Sequence, residues 1–198
     1  MSKSTDHKCR CGWVKLTNPT YVKYHDEEWG VPIYDDATLF EFIVLESAQA
    51  GLSWETILNR REGYRAAFDQ FDYQKIAAYD EAKQAALAQD QRIIRNKLKI
   101  KATVTNAQAF IKIQEEFGSF SKYIWGFVGG KPIVNAFKDI SEVPASTPLS
   151  DKISKDMKKR GFKFFGTTIC YAHMQATGMV NDHTIACFRY QEILKNIN

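Results

Sequence analysis

The strongest constraint on the fold is the run TLFEFIVLESAQAGLSW at residues 38–54. Leu39, Phe40, Phe42, Ile43, Val44 and Leu45 occupy almost the whole circumference of the implied helix, and a helix apolar all round belongs in an interior. Glu46 falls on the stripe of Leu39, Ile43 and Ala50 and is carried inside with it. An ionised carboxylate there needs a partner, or it takes a proton. An ion pair with a distant arginine would meet that need and have no functional meaning. The neighbours favour a ligand instead: Trp54 follows a break at Gly51, and YHDEEWG at residues 24–30 precedes the helix. A buried acid beside several aromatics suits a flat, cationic or hydrogen-bonding molecule.

The chain has 198 residues, enough for one domain over 1–198 with a real core and room for two lobes. Its net charge of +4 is unevenly spread. Residues 91–114 carry Arg92, Arg95, Lys97, Lys99, Lys101 and Lys112 without one acid, and a second basic stretch spans 152–163. Both are compatible with phosphate-backbone binding, with Arg92, Arg95 and Lys97 the candidate DNA contacts, though a solvated helix face reads the same way. The first residues, MSKSTDHKCRC, contain no apolar leader, and no apolar run reaches membrane-spanning length. A cytoplasmic protein without membrane contact is expected, and four cysteines in that compartment suggest metal, reactivity or burial rather than disulfides.

Helical signals dominate, so an all-α fold is expected. Asp35 and Asp36 are candidate caps for the helix carrying Glu46, and Ser53 for the next. A short helix over 81–88, a turn at Asp90 and a long basic helix ending at Gly118 make a possible helix-hairpin-helix. Its turn, QDQRIIRNKL, has no glycine, and an ordinary helical hairpin has the same outline. Thr147 and Pro148 start a helix that Gly161 ends, and another is expected over 168–176 with Gly178 as terminator. Gly129, Gly130, Lys131 and Pro132 form the clearest loop.

Cys11 and His25 lie near one end of the chain, and His183 and Cys187 near the other, the last two on one face of a turn or helix. Two Cys and two His can complete a tetrahedral zinc site with no open position, which would make the metal structural, although the spacing matches no zinc-finger pattern. Cys9 is an alternative to Cys11. Cys170 reads as a buried thiol, and His7 and His173 have no comparable partners.

CGW at 11–13, YHDEEWG followed by VP, LESAQAGLSW, RGFKFFGTTICY at 160–171, and NDH at 181–183 with Cys187 resemble, in order, the DNA-3-methyladenine glycosylase I family. The resemblance spans roughly residues 11–187. It implies a two-lobed helix-hairpin-helix glycosylase that excises 3-methyladenine from alkylated double-stranded DNA and leaves an abasic site; a monomer is expected. It implies one structural Zn2+ on Cys11, His25, His183 and Cys187. It assigns Glu46 and Tyr24 to hydrogen bonding with the flipped base, Trp54 to stacking, and Trp13, Tyr21 and Trp29 to the aromatic lining. Ser47 and Ala48 depart from the Gly and Gln of some members. Two other classes compete: a zinc-stabilised DNA binder without catalysis, and a zinc hydrolase with a metal-bound water.

Overall fold

The computed structural model describes residues 8–197; His7 lies outside them. The described residues are mostly helical. In chain order the helices are α1 (Pro19–Glu27), α2 (Asp36–Gln49), α3 (Trp54–Leu58), α4 (Arg61–Ala67), α5 (Tyr73–Ala77), α6 (Glu81–Leu87), α7 (Lys97–Phe117), α8 (Phe120–Gly126), α9 (Pro148–Lys159), α10 (Thr167–Ala176) and α11 (Phe188–Ile197). One departure from an all-α chain is a two-residue parallel pairing of β1 (Ile133–Val134) with β2 (Val180–Asn181), in register Ile133 with Val180.

Local chemistry sets the helix ends. Asp35 caps α2 by accepting from the Thr38 amide at 2.8 Å, and Ser53 caps α3 through the Thr56 amide. Asp36 works elsewhere: its carboxylate accepts from the Phe120 and Ser121 amides at 2.9 and 2.7 Å, so a residue of α2 satisfies the first turn of α8. Thr147 and Ser150 form a reciprocal capping box at α9, with Pro148 in its first turn. Asn96 opens α7, and Gly118, at φ +81°, closes it in the left-handed region. Signals for α1 (Asn18 as cap, Pro19 next) are equally plain, whereas α11 beyond Arg189 carries no motif and folds as an amphipathic tail.

Helix α2 is the axis of the molecule. Its buried face packs on α3, α7, α8 and α10. The main core joins Leu39, Phe40, Ile43 and Leu45 to Phe110, Ile113 and Phe120, then to Met157 and Met174. A second, smaller cluster gathers Cys11, Tyr24, Trp29, Phe42, Leu58, Ala176 and Cys187, with Trp13, Tyr21 and Trp54 packed against it. Phe42 takes α2 into this second cluster while its neighbours stay in the first.

The α6–α7 hairpin is held from outside. Arg60 donates to the Gln91 carbonyl at 2.9 Å, and the Ile94 amide donates to the Tyr64 hydroxyl at 3.2 Å. A Cβ on Gly63 would lie 2.5 Å from the Arg92 carbonyl oxygen. The close approach that this turn requires is therefore provided by a glycine on α4, not by one within the hairpin.

Candidate active site and metal centre

A cavity of about 330 Å³ opens where α1, α2, α3 and α10 meet the 140–144 segment. Trp13, Tyr21, Tyr24, Trp29, Glu46 and Trp54 all line it, so the six residues expected to meet a base occupy one space. Glu46 is only 2% exposed, and its Oε2 has no hydrogen-bond partner among the described residues. Burial pushes its carboxyl up to about 8. The arginine pairing that a structural role would need goes to a different acid: Arg61 and Arg65 both bond Glu41, at 2.6 and 2.7 Å. The Tyr24 phenol is pushed well above its ordinary value, first by burial and then by the Glu46 charge. Its ring lies 5.3 Å from that of Trp54. The indole N–H groups of Trp13 and Trp54 are likewise buried without partners among the described residues. The walls are aromatic, and three polar atoms beside them are unsatisfied.

Behind this cavity, ligand atoms of Cys11, His25, His183 and Cys187 all lie within 4.8 Å of one another, fully inside the protein, and could hold a metal ion. Cys11 Sγ is 3.4 Å from His183 Nδ1, and Cys187 Sγ is 3.5 Å from both His183 Nδ1 and His25 Nε2. The far side of each imidazole is fixed. His25 Nδ1 donates to Asp26 Oδ1 at 2.7 Å, and His183 Nε2 donates to the Trp29 carbonyl at 2.9 Å. Because those partners only accept, each ring turns a lone pair towards the sulfurs. Asp26 is itself gripped by Arg10, from Nε to Oδ1 at 2.9 Å and Nη2 to Oδ2 at 2.7 Å. Burial pushes the Asp26 carboxyl up, and the bonds from Arg10 and His25 more than offset it, leaving it below the usual range. The Cys187 thiol is held well below its ordinary value, chiefly by a hydrogen bond from Cys11, whose own thiol that contact and burial push up. Cys9 is exposed and outside the cluster, so it does not substitute for Cys11. Cys170 is buried, its thiol pushed up to about 12 by burial. His173 lies outside the metal cluster, its Nε2 3.4 Å from the Leu39 carbonyl, and burial brings it down to about 4, so it stays neutral.

Several lining residues escape a sequence reading. Gln49 stands three positions after Glu46, a spacing that places both on one helix face and was available as a signal. Gln175 and Ala172 enter from α10; Ile140, Val143 and Pro144 come from a segment with no motif. Gln175 is locked by Asp182, which accepts from Gln175 Nε2 at 2.8 Å, Tyr171 Oη at 2.7 Å and Asn135 Nδ2 at 2.6 Å.

The basic stretches are partly engaged elsewhere. Arg92, Arg95 and Lys97 are exposed on the hairpin turn and the start of α7, with Arg92 paired to Asp90 at 2.6 Å. Lys99 instead turns inward and donates to the Ala48 and Ala50 carbonyls, at 2.8 and 2.6 Å, closing the C-terminal end of α2. In the second stretch Arg160 pairs with Glu116 and Asp156 and covers the rings of Phe117 and Tyr123. No helix among the described residues is long and apolar enough to cross a membrane.

With an aromatic cavity on one side and a Cys2His2 cluster on the other, the chain belongs to the methyladenine glycosylase family, whose model matches residues 13–190, and it is an enzyme of that family. It is 51% identical over 181 residues to DNA-3-methyladenine glycosylase 1 of Escherichia coli (strain K12), covering 91% of this chain and 96% of that one. A crystal structure of a 3-methyladenine DNA glycosylase I superposes with a TM-score of 0.88 at 50% identity, covering 91% of this chain and 98% of that one. A variant of a 3-methyladenine DNA glycosylase I in complex with 3-methyladenine also superposes at 0.88, with 35% identity and coverage of 90% and 96%.

Proposed function

We propose that this chain is a single-domain, monomeric repair glycosylase. It takes a flipped 3-methyladenine from alkylated duplex DNA into the aromatic cavity and hydrolyses its N-glycosidic bond, leaving an abasic site. The observation that carries the reading is the buried carboxylate oxygen of Glu46, unpartnered among the described residues, in a cavity walled by Trp13, Tyr24 and Trp54. That the relatives are 3-methyladenine glycosylases, one in complex with the base, supports it.

Methylation at N3 leaves the adenine of a nucleotide positively charged and weakens its glycosidic bond, so little acid catalysis is required of the protein. The work is extraction and discrimination. Trp54 and the surrounding rings favour a cationic purine by about 0.5–2 kcal/mol per well-placed ring. Glu46 accepts from the exocyclic amine as a carboxylate: the approaching cation favours the ionised form, its proton leaves to water, and the upward shift that burial imposes is opposed. Normal adenine carries no charge and gains neither advantage. Tyr24, held as a neutral phenol, donates or accepts alongside Glu46. Outside the cavity Arg92, Arg95 and Lys97 of the hairpin are positioned to hold the phosphate backbone without reading sequence.

The Cys2His2 cluster fits zinc. Tetrahedral Zn–S and Zn–N bonds of about 2.3 and 2.0–2.1 Å space sulfur and nitrogen by about 3.5 Å, which matches the observed 3.4 and 3.5 Å contacts. Four protein ligands leave no place for a reactive water, so when bound the ion supplies a cross-link between the chain's two ends and no chemistry. A zinc hydrolase would need the opposite arrangement. A reducing cytosol suits this reading, because both thiols must stay available as thiolates.

The test is chromatographic analysis of bases released from methylated duplex DNA. The parent should liberate 3-methyladenine, and Glu46→Gln, whose amide nitrogen can only donate, should do so at least tenfold more slowly with unchanged fold and non-specific DNA affinity. Equal excision rates for the two proteins would make the buried carboxyl a structural group.

A further inference from the structure

The metal cluster and the base cavity are two faces of one wall. Trp13 stands two residues after the ligand Cys11, and Tyr24 immediately precedes the ligand His25. The Trp29 carbonyl accepts from His183 Nε2 at 2.9 Å. The rings continue the contact: Trp13 meets His25 edge-on at 5.2 Å, Trp29 meets His183 at 4.6 Å, and the two indoles meet each other at 5.0 Å. A Cβ on Gly30 would lie 3.1 Å from His183 Cδ2, so glycine lets the backbone leaving Trp29 pass close beside this imidazole. The rings of Trp13 and Trp29 touch the imidazoles and also line the cavity. A change in where the ligands sit is a change in the shape of the base site.

We propose that His25 and His183 are positioning residues for the base cavity as well as metal ligands, so that the metal ion and the base bind with positive coupling. The coupling presupposes the zinc and base assignments made for these residues. Its physical source is the shared ordering cost of Trp13, Tyr24 and Trp29: whichever ligand binds first fixes the wall, and the second finds it fixed. Thermodynamic linkage then requires the effect to be the same in both directions. Asp26, which orients His25 from behind and is clamped by Arg10, sets how firmly this wall is held.

The experiment uses the full zinc-loaded chain. Its zinc affinity is measured at equilibrium against a chromophoric chelator, with and without saturating free 3-methyladenine, and base binding is followed by tryptophan fluorescence at limiting and saturating zinc. Base should tighten zinc on the order of tenfold, and zinc should tighten base by the same factor. Asp26→Asn should weaken zinc by about 10–100-fold. It should lose base affinity at limiting zinc and recover it when zinc saturates, with the same far-UV circular dichroism in both conditions, which separates a loosened wall from zinc-dependent folding. Unchanged zinc affinity in the presence of base that demonstrably binds would overturn the coupling and leave the glycosylase reading standing. Failure of the loaded parent to bind free 3-methyladenine at all would defeat both.

Discussion

Two aromatic clusters meet on α2, and they are built to opposite rules. In the main core Phe40, Tyr73, Phe110 and Phe120 pack ring on ring at 4.3–5.7 Å, and the polar ends nearby are paired: the Tyr73 hydroxyl with Gln114, the Tyr123 hydroxyl with Asp156. In the second cluster the rings of Trp13, Tyr21, Tyr24 and Trp29 lie at similar spacing, yet two indole N–H groups and one carboxylate oxygen beside them have no partner among the described residues. Leaving such groups unmade costs about 1–3 kcal/mol each. Aromatic richness is therefore common to both clusters, and unsatisfied polarity beside a cavity is what sets the second apart. Buried polar atoms without partners among the described residues also occur outside this cavity's lining, at Ser47 Oγ, His173 Nδ1 and Arg189 Nε, so an unpaired atom points to a site only where it adjoins the cavity.

The sharpest way to break this contrast is to delete one ring from the main core and one from the cavity wall. Phe110→Ala should cost about 3–5 kcal/mol of unfolding free energy in denaturant titrations. Trp54→Ala, which empties one side of an existing cavity, should cost under about 2 kcal/mol. Its main effect should be to remove a stacking face worth on the order of 1–3 kcal/mol in the affinity for free 3-methyladenine. Equal stability losses from the two changes would erase the distinction.

A smaller effect concerns pH. Glu46 holds its proton up to about 8 in the folded chain, against 4.5 as its ordinary value. The folded state thus binds more protons than the unfolded one between those values. The stability linked to this group is fully present below about pH 4.5 and declines as pH rises through 8. Glu46→Gln should remove that decline and make the protein more stable than the parent at pH 8–9, by on the order of 1–3 kcal/mol in denaturant midpoints compared across pH. Parallel stability profiles for the two proteins would mean that the carboxyl is solvated or paired in solution.

The smallest effect lies on the surface. Replacing Arg95 and Lys97 with Gln should leave unfolding unchanged and lower the slope of log affinity for duplex DNA against log salt by about one for each phosphate no longer neutralised. An unaltered slope would move the DNA surface to the stretch at 152–163.

How much of this could be read beforehand differs by residue. Periodicity alone placed Glu46 in the interior, because six apolar neighbours leave α2 no solvent face. Capping chemistry located the starts of α3 and α9. The aromatic lining needed a family resemblance, since Trp13, Tyr21 and Trp29 follow no periodic pattern. Beyond its reach were interactions between segments distant in the chain: Lys99 closing α2 rather than facing DNA, Gln175 fixed by Asp182, and the 140–144 wall. The choice between Cys9 and Cys11 was of the same kind, settled only by which sulfur the fold brings to His183.

The Asp36 carboxylate bears on how the chain folds in time. Helix α8 has seven residues, too few to persist alone in water, and its first-turn amides are held by a side chain 84 and 85 positions away. These two amides are therefore protected only where α2 is in place. In a hydrogen-exchange experiment the Phe120 and Ser121 amides should open with α2 as one cooperative unit, not fray as the end of a short helix would.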